Sequence, residues 1–185
     1  MPFPRTWSEE LITEWLHIEG FLVEANLPVG AGRGGGRKET DVVGARIRNG
    51  ALEVIHIETG VLAQGEEGIE RVIGKFSPEI VETVTRFFSQ RLSDTGDRTS
   101  YRKVYIPTYW PQNEGAFEEP RAQGVEILTM PDFICNKVVP TITRWKQNPP
   151  FPLGGESATL PGSHWLLQLV DHLNTNGMLE CKKSL

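Results

Sequence analysis

Apolar residues recur along the chain with periods that change from segment to segment, and those changes mark its elements. Leu11, Ile12, Trp15 and Leu16 follow helical spacing, with Thr6-Trp7-Ser8-Glu9 ahead of them as a capping box and Gly20 behind them as a stop. Residues 21–28 (FLVEANLP) predict a first strand, and a loop rich in glycine and arginine follows it. Residues 40–48 and 51–58 are two β-like runs joined by Asn49-Gly50, a dipeptide suited to a two-residue hairpin turn. In that register Arg48 faces Ala51, Val43 faces His56, and Asp41 faces Glu58. Alternation then puts Asp41, Val43, His56 and Glu58 on one face and Val42, Gly44, Ile55 and Ile57 on the other. Residues 65–76 predict a helix, and Ser77-Pro78-Glu79 starts another whose buried side carries Ile80, Val81, Val84, Phe87 and Phe88. Residues 102–109 and 124–129 predict further strands. Residues 131–147 predict a helix interrupted at Pro140, and residues 163–174 a last amphipathic helix.

The order α-β-β-β-α-β-β-α, then a terminal helix, predicts an α/β domain: a mixed β-sheet flanked by helices. The boundaries expected are a domain over residues 1–147, a Pro/Gly-rich linker over 148–162, and a C-terminal helix and tail over 163–185. The 185 residues suffice for a sizeable core, and 38% hydrophobic with 23% charged residues argue against wholesale disorder. A net charge of -5 speaks against a protein coated in nucleic acid, yet leaves room for a local basic face. Cys135 and Cys181 sit in no CxxC or CxxxH pattern, so reduced thiols in a cytoplasmic setting are expected. No apolar run approaches membrane-spanning length and MPFPRTWSEEL lacks an apolar signal core, so no membrane partner is expected.

Chemistry enters with the hairpin. Two carboxylates held side by side repel each other, and a divalent cation relieves the repulsion; carboxylate oxygens suit Mg²⁺ or Mn²⁺. The plainer alternative is two surface acids at a strand edge, separated by solvent. His56 shares the acidic face, where it is either a metal ligand or base, or a hydrogen-bonded structural residue. Glu9 lies on the inward row with Ile12 and Leu16, while Glu10, Glu14 and His17 form the polar row. The stretch Gly30-Ala31-Gly32-Arg33-Gly34-Gly35 matches GxGxxG literally, but a strand rather than a helix is predicted after it, which excludes a dinucleotide fingerprint. Arg33, Arg37 and Lys38 instead make this loop a candidate phosphate contact, or an ordinary solvated surface.

Helix, strand, a hairpin with Asp on its first strand and Glu ending its second, then a helix: this arrangement resembles the PD-(D/E)xK nuclease superfamily. That superfamily has the restriction-endonuclease-like fold and includes Mrr-type enzymes and archaeal Holliday-junction resolvases. The resemblance is carried by Glu9, Gly20-Phe21, Gly36-Arg37, Asp41-Val42-Val43-Gly44 and Val54-Ile55-His56-Ile57-Glu58. It covers residues 8–60 by motif and 61–147 by element order. The resemblance implies Mg²⁺ or Mn²⁺ held by Asp41 and Glu58, with Glu9, eleven residues before Gly20, joining from the first helix. Glu9 has an alternative as a capping-box residue with no other role.

The family motif wants a lysine two residues after its second carboxylate, and this chain has Gly60. Either Gln64 or Lys75 substitutes from the next helix, or His56-x-Glu58 replaces the usual pair, or the site is dead. The function implied is a metal-dependent nuclease acting on DNA, or on RNA. The alternative is a catalytically degenerate module that binds nucleic acid or a protein without cleavage. The terminal helix, with Trp165, Leu166, Leu167, Leu169, Val170 and Leu173, has enough apolar surface to dock on the domain or to join a second copy in a homodimer.

Overall fold

The computed structural model describes residue 4 and residues 6–31, 37–61, 66–92, 98–109, 117–149 and 158–181. The capping box opens the first helix, α1 (Trp7–Ile18): the Thr6 hydroxyl accepts the Glu9 N–H at 3.3 Å. Gly20, at φ 81°, ends it in a Schellman arrangement, its N–H donating to the His17 carbonyl and the Phe21 N–H to the Leu16 carbonyl. The strand predicted over 21–28 is split. β1 (Leu22–Ala25) stops at Asn26, whose φ of 54° takes the chain out of the pleat. The chain then forms a separate two-stranded sheet from β2 (Pro28–Ala31) and β3 (Arg37–Glu39).

β4 (Val42–Arg48) and β5 (Ala51–Val61) form the expected hairpin. Asn49 and Gly50 both take positive φ, 52° and 72°, as a primed turn requires. The register is the one expected, Arg48 opposite Ala51 and Val43 opposite His56. Two helices, α2 (Glu66–Gly74) and α3 (Pro78–Ser89), carry the chain over the sheet to β6 (Thr99–Tyr109), which runs parallel to β5. A short helix, α4 (Glu118–Ala122), leads to β7 (Val125–Ile127), parallel to β6. The main sheet is therefore mixed, five-stranded and ordered β1-β4-β5-β6-β7, with helices on both faces.

Alternation along β4 and β5 divides the core. Val42, Ile55, Ile57, Val104 and Ile106 pack under α1 and the C-terminal helices. On the other face Val43, Ala45, Leu52 and Val54 pack under Ile80, Val84 and Phe88 of α3. Beside them, Val72 and Phe76 meet Tyr105, Phe117 and Val125.

The helix expected over 131–147 is observed in three joined pieces: α5 (Met130–Phe133), a π-helical segment (Ile134–Val138) and α6 (Val139–Gln147). Pro140 has no N–H to close an α-turn, and the wider turn just before it absorbs the interruption. The terminal helix, α7 (Trp165–Thr175), sends Leu166, Leu167 and Val170 into the core. Its Trp165 and Leu169 stay exposed. The Glu14 carboxylate, only 3% exposed, accepts the Leu166 and Leu167 N–H groups at 3.3 and 2.8 Å and so caps α7.

Cys135 and Cys181 are joined in a disulfide, their Cα atoms 5.3 Å apart. This overturns the expectation of two reduced thiols: the pairing follows from docking α7 against the π-helical segment, which spacing in the sequence does not reveal. No described helix is long and apolar enough to cross a membrane.

Candidate metal centre

The acid pair sits where the β4–β5 ladder ends, on the face covered by α2 and α3. Each carboxylate is fixed by the opposite strand's backbone. The Asp41 N–H donates to Glu58 Oε1 at 3.2 Å, and the Thr59 N–H donates to Asp41 Oδ2 at 2.8 Å. Such bonds are available because Asp41 and Glu58 each lie one residue beyond the last pair of the hairpin ladder, Val42 opposite Ile57. Lys75 arrives from the far end of α2. Its N–H still bonds the Arg71 and Val72 carbonyls, both at 3.2 Å, so the helical path reaches one residue past Gly74. Phe76, buried beside it, packs its ring 4.8 Å from that of His56 and anchors the turn to the sheet. From there the Lys75 ammonium donates to Asp41 Oδ2 at 3.3 Å and to Glu58 Oε2.

Position 60, two residues after Glu58, is built for glycine. Gly60 takes φ 151°, and the pairing of β5 with β6 shifts register between it and Val61. A side chain there would be strained, and the cation comes from Lys75 instead.

The electrostatics follow from burial and pairing. Glu58 is 1% exposed; burial opposes its charge, but the hydrogen bond from His56 and the Lys75 ammonium outweigh that and hold its carboxyl below the usual range. Burial works against the Lys75 ammonium too, and Glu58 and Asp41 more than offset it, raising its proton affinity. Asp41 goes the other way: burial, then the Glu58 charge, push its carboxyl up to about 7, against the opposing pull of Lys75 and the Thr59 N–H. Near neutral pH the cluster is thus short of positive charge at Asp41.

These residues fit a hard divalent cation. Asp41 Oδ2 and Glu58 Oε2 already converge on one positive atom, and the donors are oxygens of the class that binds Mg²⁺ or Mn²⁺. Among the described residues no group of three or more His, Cys, Asp or Glu is placed to hold a metal. The protein would therefore contribute two carboxylates, which is in keeping with a Mg²⁺ ion that keeps water or phosphate oxygens for its other positions.

The remaining expected residues divide. Glu9 is buried at the start of α1, where it receives the Thr6 hydroxyl at 3.2 Å and the Asn26 amide at 3.4 Å. Asn26 in turn donates its backbone N–H to the Asp41 carbonyl, so Glu9 supports the neighbourhood of Asp41 through Asn26. His56 is fully buried and has both ring nitrogens engaged, one by Glu58 and one by Tyr101, which leaves none for a metal or a substrate. Arg37 and Lys38 are exposed on β3, four and three residues before Asp41. Gln64 and Arg33 lie outside the described residues.

Three neighbours escaped sequence reasoning. Tyr101 and Tyr105 stand on the His56–Glu58 face of β6, and Tyr105 Oη donates to the Gly60 carbonyl at 3.4 Å. Their spacing along an apolar strand was the available signal. Arg71 lies one helical turn before Lys75 and is exposed beside Tyr105. Its side chain makes no hydrogen bond or ion pair among the described residues, and its i−4 relation to Lys75 was the clue.

No family model and no curated protein matches the chain. Among solved structures, the crystal structure of a protein of unknown function, AF1548, is similar with 13% identity and a TM-score of 0.39. The match covers 93% of this chain and 78% of that one.

Proposed function

We propose that the chain is a metal-dependent nuclease of the PD-(D/E)xK type, with the restriction-endonuclease-like fold, whose motif lysine has moved from position 60 to Lys75. The observation that carries this reading is the reach of the Lys75 ammonium to both Asp41 and Glu58. A carboxylate pair with a lysine on it is the minimal apparatus for hydrolysing a phosphodiester, even though Gly60 breaks the linear motif. Asp41 and Glu58 Oε2 would hold Mg²⁺ or Mn²⁺, which when bound supplies Lewis-acid activation of the phosphoryl group. With a cation on the two carboxylates, the Lys75 ammonium would be free to turn its charge to the phosphoryl oxygens, where negative charge develops. Arg37, Lys38 and Arg71 offer exposed cations to the flanking phosphates. The substrate is DNA, with RNA open to the same chemistry. The exposed Trp165 and Leu169 of α7 offer a second copy a contact remote from the site.

One observation favours a second reading. Lys75 already pairs with both acids, and the raised Asp41 carboxyl can hold a proton near neutral pH, so the cluster can stand as an ion network without a metal, as a noncatalytic binding module would need. Nicking of supercoiled plasmid in Mg²⁺ or Mn²⁺ separates the two. The nuclease reading expects cleavage by the wild type that is lost in Asp41→Ala and Lys75→Ala. Absence of cleavage with every divalent metal, alongside DNA binding that needs none, selects the module.

A further inference from the structure

The fully buried His56 is an expensive residue for a central strand, where Val or Ile would pack without polar obligations. Its two nitrogens are both spent on neighbours: Nε2 lies 2.7 Å from Glu58 Oε1, and Nδ1 lies 2.9 Å from the Tyr101 hydroxyl. Glu58, as a carboxylate, only accepts, so Nε2 must carry the proton. In the neutral ring Nδ1 then accepts, and the Tyr101 hydroxyl must be the donor. Tyr101 reaches this position because Val54 is its partner on β5, which sets the hydroxyl beside the ring two residues further along. The Phe76 ring, 4.8 Å away and nearly edge-on, closes the third side.

This chain of bonds has a consequence for the carboxylate. Glu58 Oε1 is occupied twice, by His56 Nε2 and by the Asp41 N–H, so the group has no freedom to rotate. Oε2 is left as the oxygen turned toward the place where Lys75 now sits. We propose that His56 and Tyr101 are a positioning pair: Tyr101 sets the imidazole tautomer, His56 pins Oε1, and Glu58 is thereby presented to a divalent cation through Oε2 alone. Neither residue touches the cation or the substrate. The proposal rests on the metal-site reading above and specifies which oxygen of Glu58 serves it.

The test is Mn²⁺ binding to the full chain, followed by electron paramagnetic resonance, with thermal melts to confirm folding. The wild type should bind Mn²⁺, and Asp41→Asn should not. His56→Val should weaken binding roughly 10- to 100-fold, the usual cost of removing an outer partner of a metal ligand. His56→Gln, whose amide can still donate to Oε1, should recover most of it, a rescue that a purely space-filling histidine would not give. Tyr101→Phe removes a single oxygen and covers the case in which His56→Val does not fold. It should weaken Mn²⁺ binding and move the ¹⁵N shifts of the His56 ring away from a single Nε2-protonated form. Folded His56→Val, or Tyr101→Phe with an unchanged ring spectrum, binding Mn²⁺ as tightly as wild type overturns the positioning role while leaving the metal site standing. A wild type that binds no Mn²⁺ overturns the site itself, and the pair's role with it.

Discussion

On the proposed nuclease reading, Lys75 sits between Asp41 Oδ2 and Glu58 Oε2 where a metal would bind, which would give it two roles with opposite signs. As a cation near the phosphate it should assist turnover, and as an ammonium on the acid pair it should compete with the metal. Lys75→Met is therefore expected to lower cleavage by about 10²-fold or more while Mn²⁺ binds at least as tightly as in wild type. Parallel loss of metal affinity and activity in that variant would contradict the displacement argument. Asp41 supplies a pH test. Its carboxyl titrates near 7 in the folded chain, far above the ordinary 3.8, so ionising it opposes folding. Without metal, stability contributed here falls as pH climbs from about 4 to about 7 and is flat above, because the folded state holds the extra proton across that window. A divalent cation needs the ionised form, so the rise in melting temperature caused by Mn²⁺ should grow between pH 6 and pH 8 and be absent in Asp41→Asn. A Mn²⁺ effect that is constant with pH would dissociate Asp41 from the site. In the sequence, Lys75 was one of two candidates, with Gln64, to stand in for a lysine at Gly60, beside a shifted His56-x-Glu58 pair and a dead site. The sequence could not show the reach of that side chain, which depends on how α2 lies on the sheet.

Among the elements, the β4–β5 hairpin was the most legible, because Asn49-Gly50 and strict alternation determine a register by local chemistry alone. Less legible were features imposed by neighbours. β6 begins at Thr99 rather than 102 because its first residues pair with Leu52 and Glu53 of β5, a partnership invisible to local pattern. β1 ends early because Asn26 adopts a left-handed turn, and an isolated asparagine in an apolar run does not announce that. The end of β5 bears on function. Its irregularity at Gly60 would resist a lysine placed there, since a side chain at φ 151° costs about 1–3 kcal/mol and would distort the bulge. Introducing Gly60→Lys into Lys75→Ala should leave plasmid nicking at the level of Lys75→Ala, with a lowered melting temperature. Recovery of cleavage would show that the strand end relaxes and that the helix-borne lysine is not specifically required.

At the scale of the whole molecule, two surfaces changed meaning once α7 was in place. Glu14, read as part of the polar row of α1, is buried because that row is where the N-terminus of α7 docks. Cys135 and Cys181, read as separate thiols, are brought together by the same docking. Neither was legible, since both depend on where α7 docks, against α1 in one case and the π-helical segment in the other. The disulfide joins residues 46 apart, and in the chain-entropy account closing such a loop stabilises the fold by about 4 kcal/mol. For a chain of this length each kcal/mol moves the melting temperature by roughly 2–4 °C, so reduction should lower it by on the order of 10 °C. The Cys135→Ser, Cys181→Ser variant should melt at the same lowered temperature and be insensitive to reductant. Because the disulfide lies with α7 on the Ile55–Ile57 face, while Asp41, Glu58 and Lys75 lie on the other, Mn²⁺ affinity at low temperature should be the same with and without the bond. Superimposable melts with and without reductant, together with two titratable thiols in the untreated protein, would show that the bond is not part of the working fold and would bring back the reduced state expected in the cytoplasm. A lowered melt accompanied by lost Mn²⁺ binding would instead reveal that the docking of α7 is felt across the sheet at the acid pair.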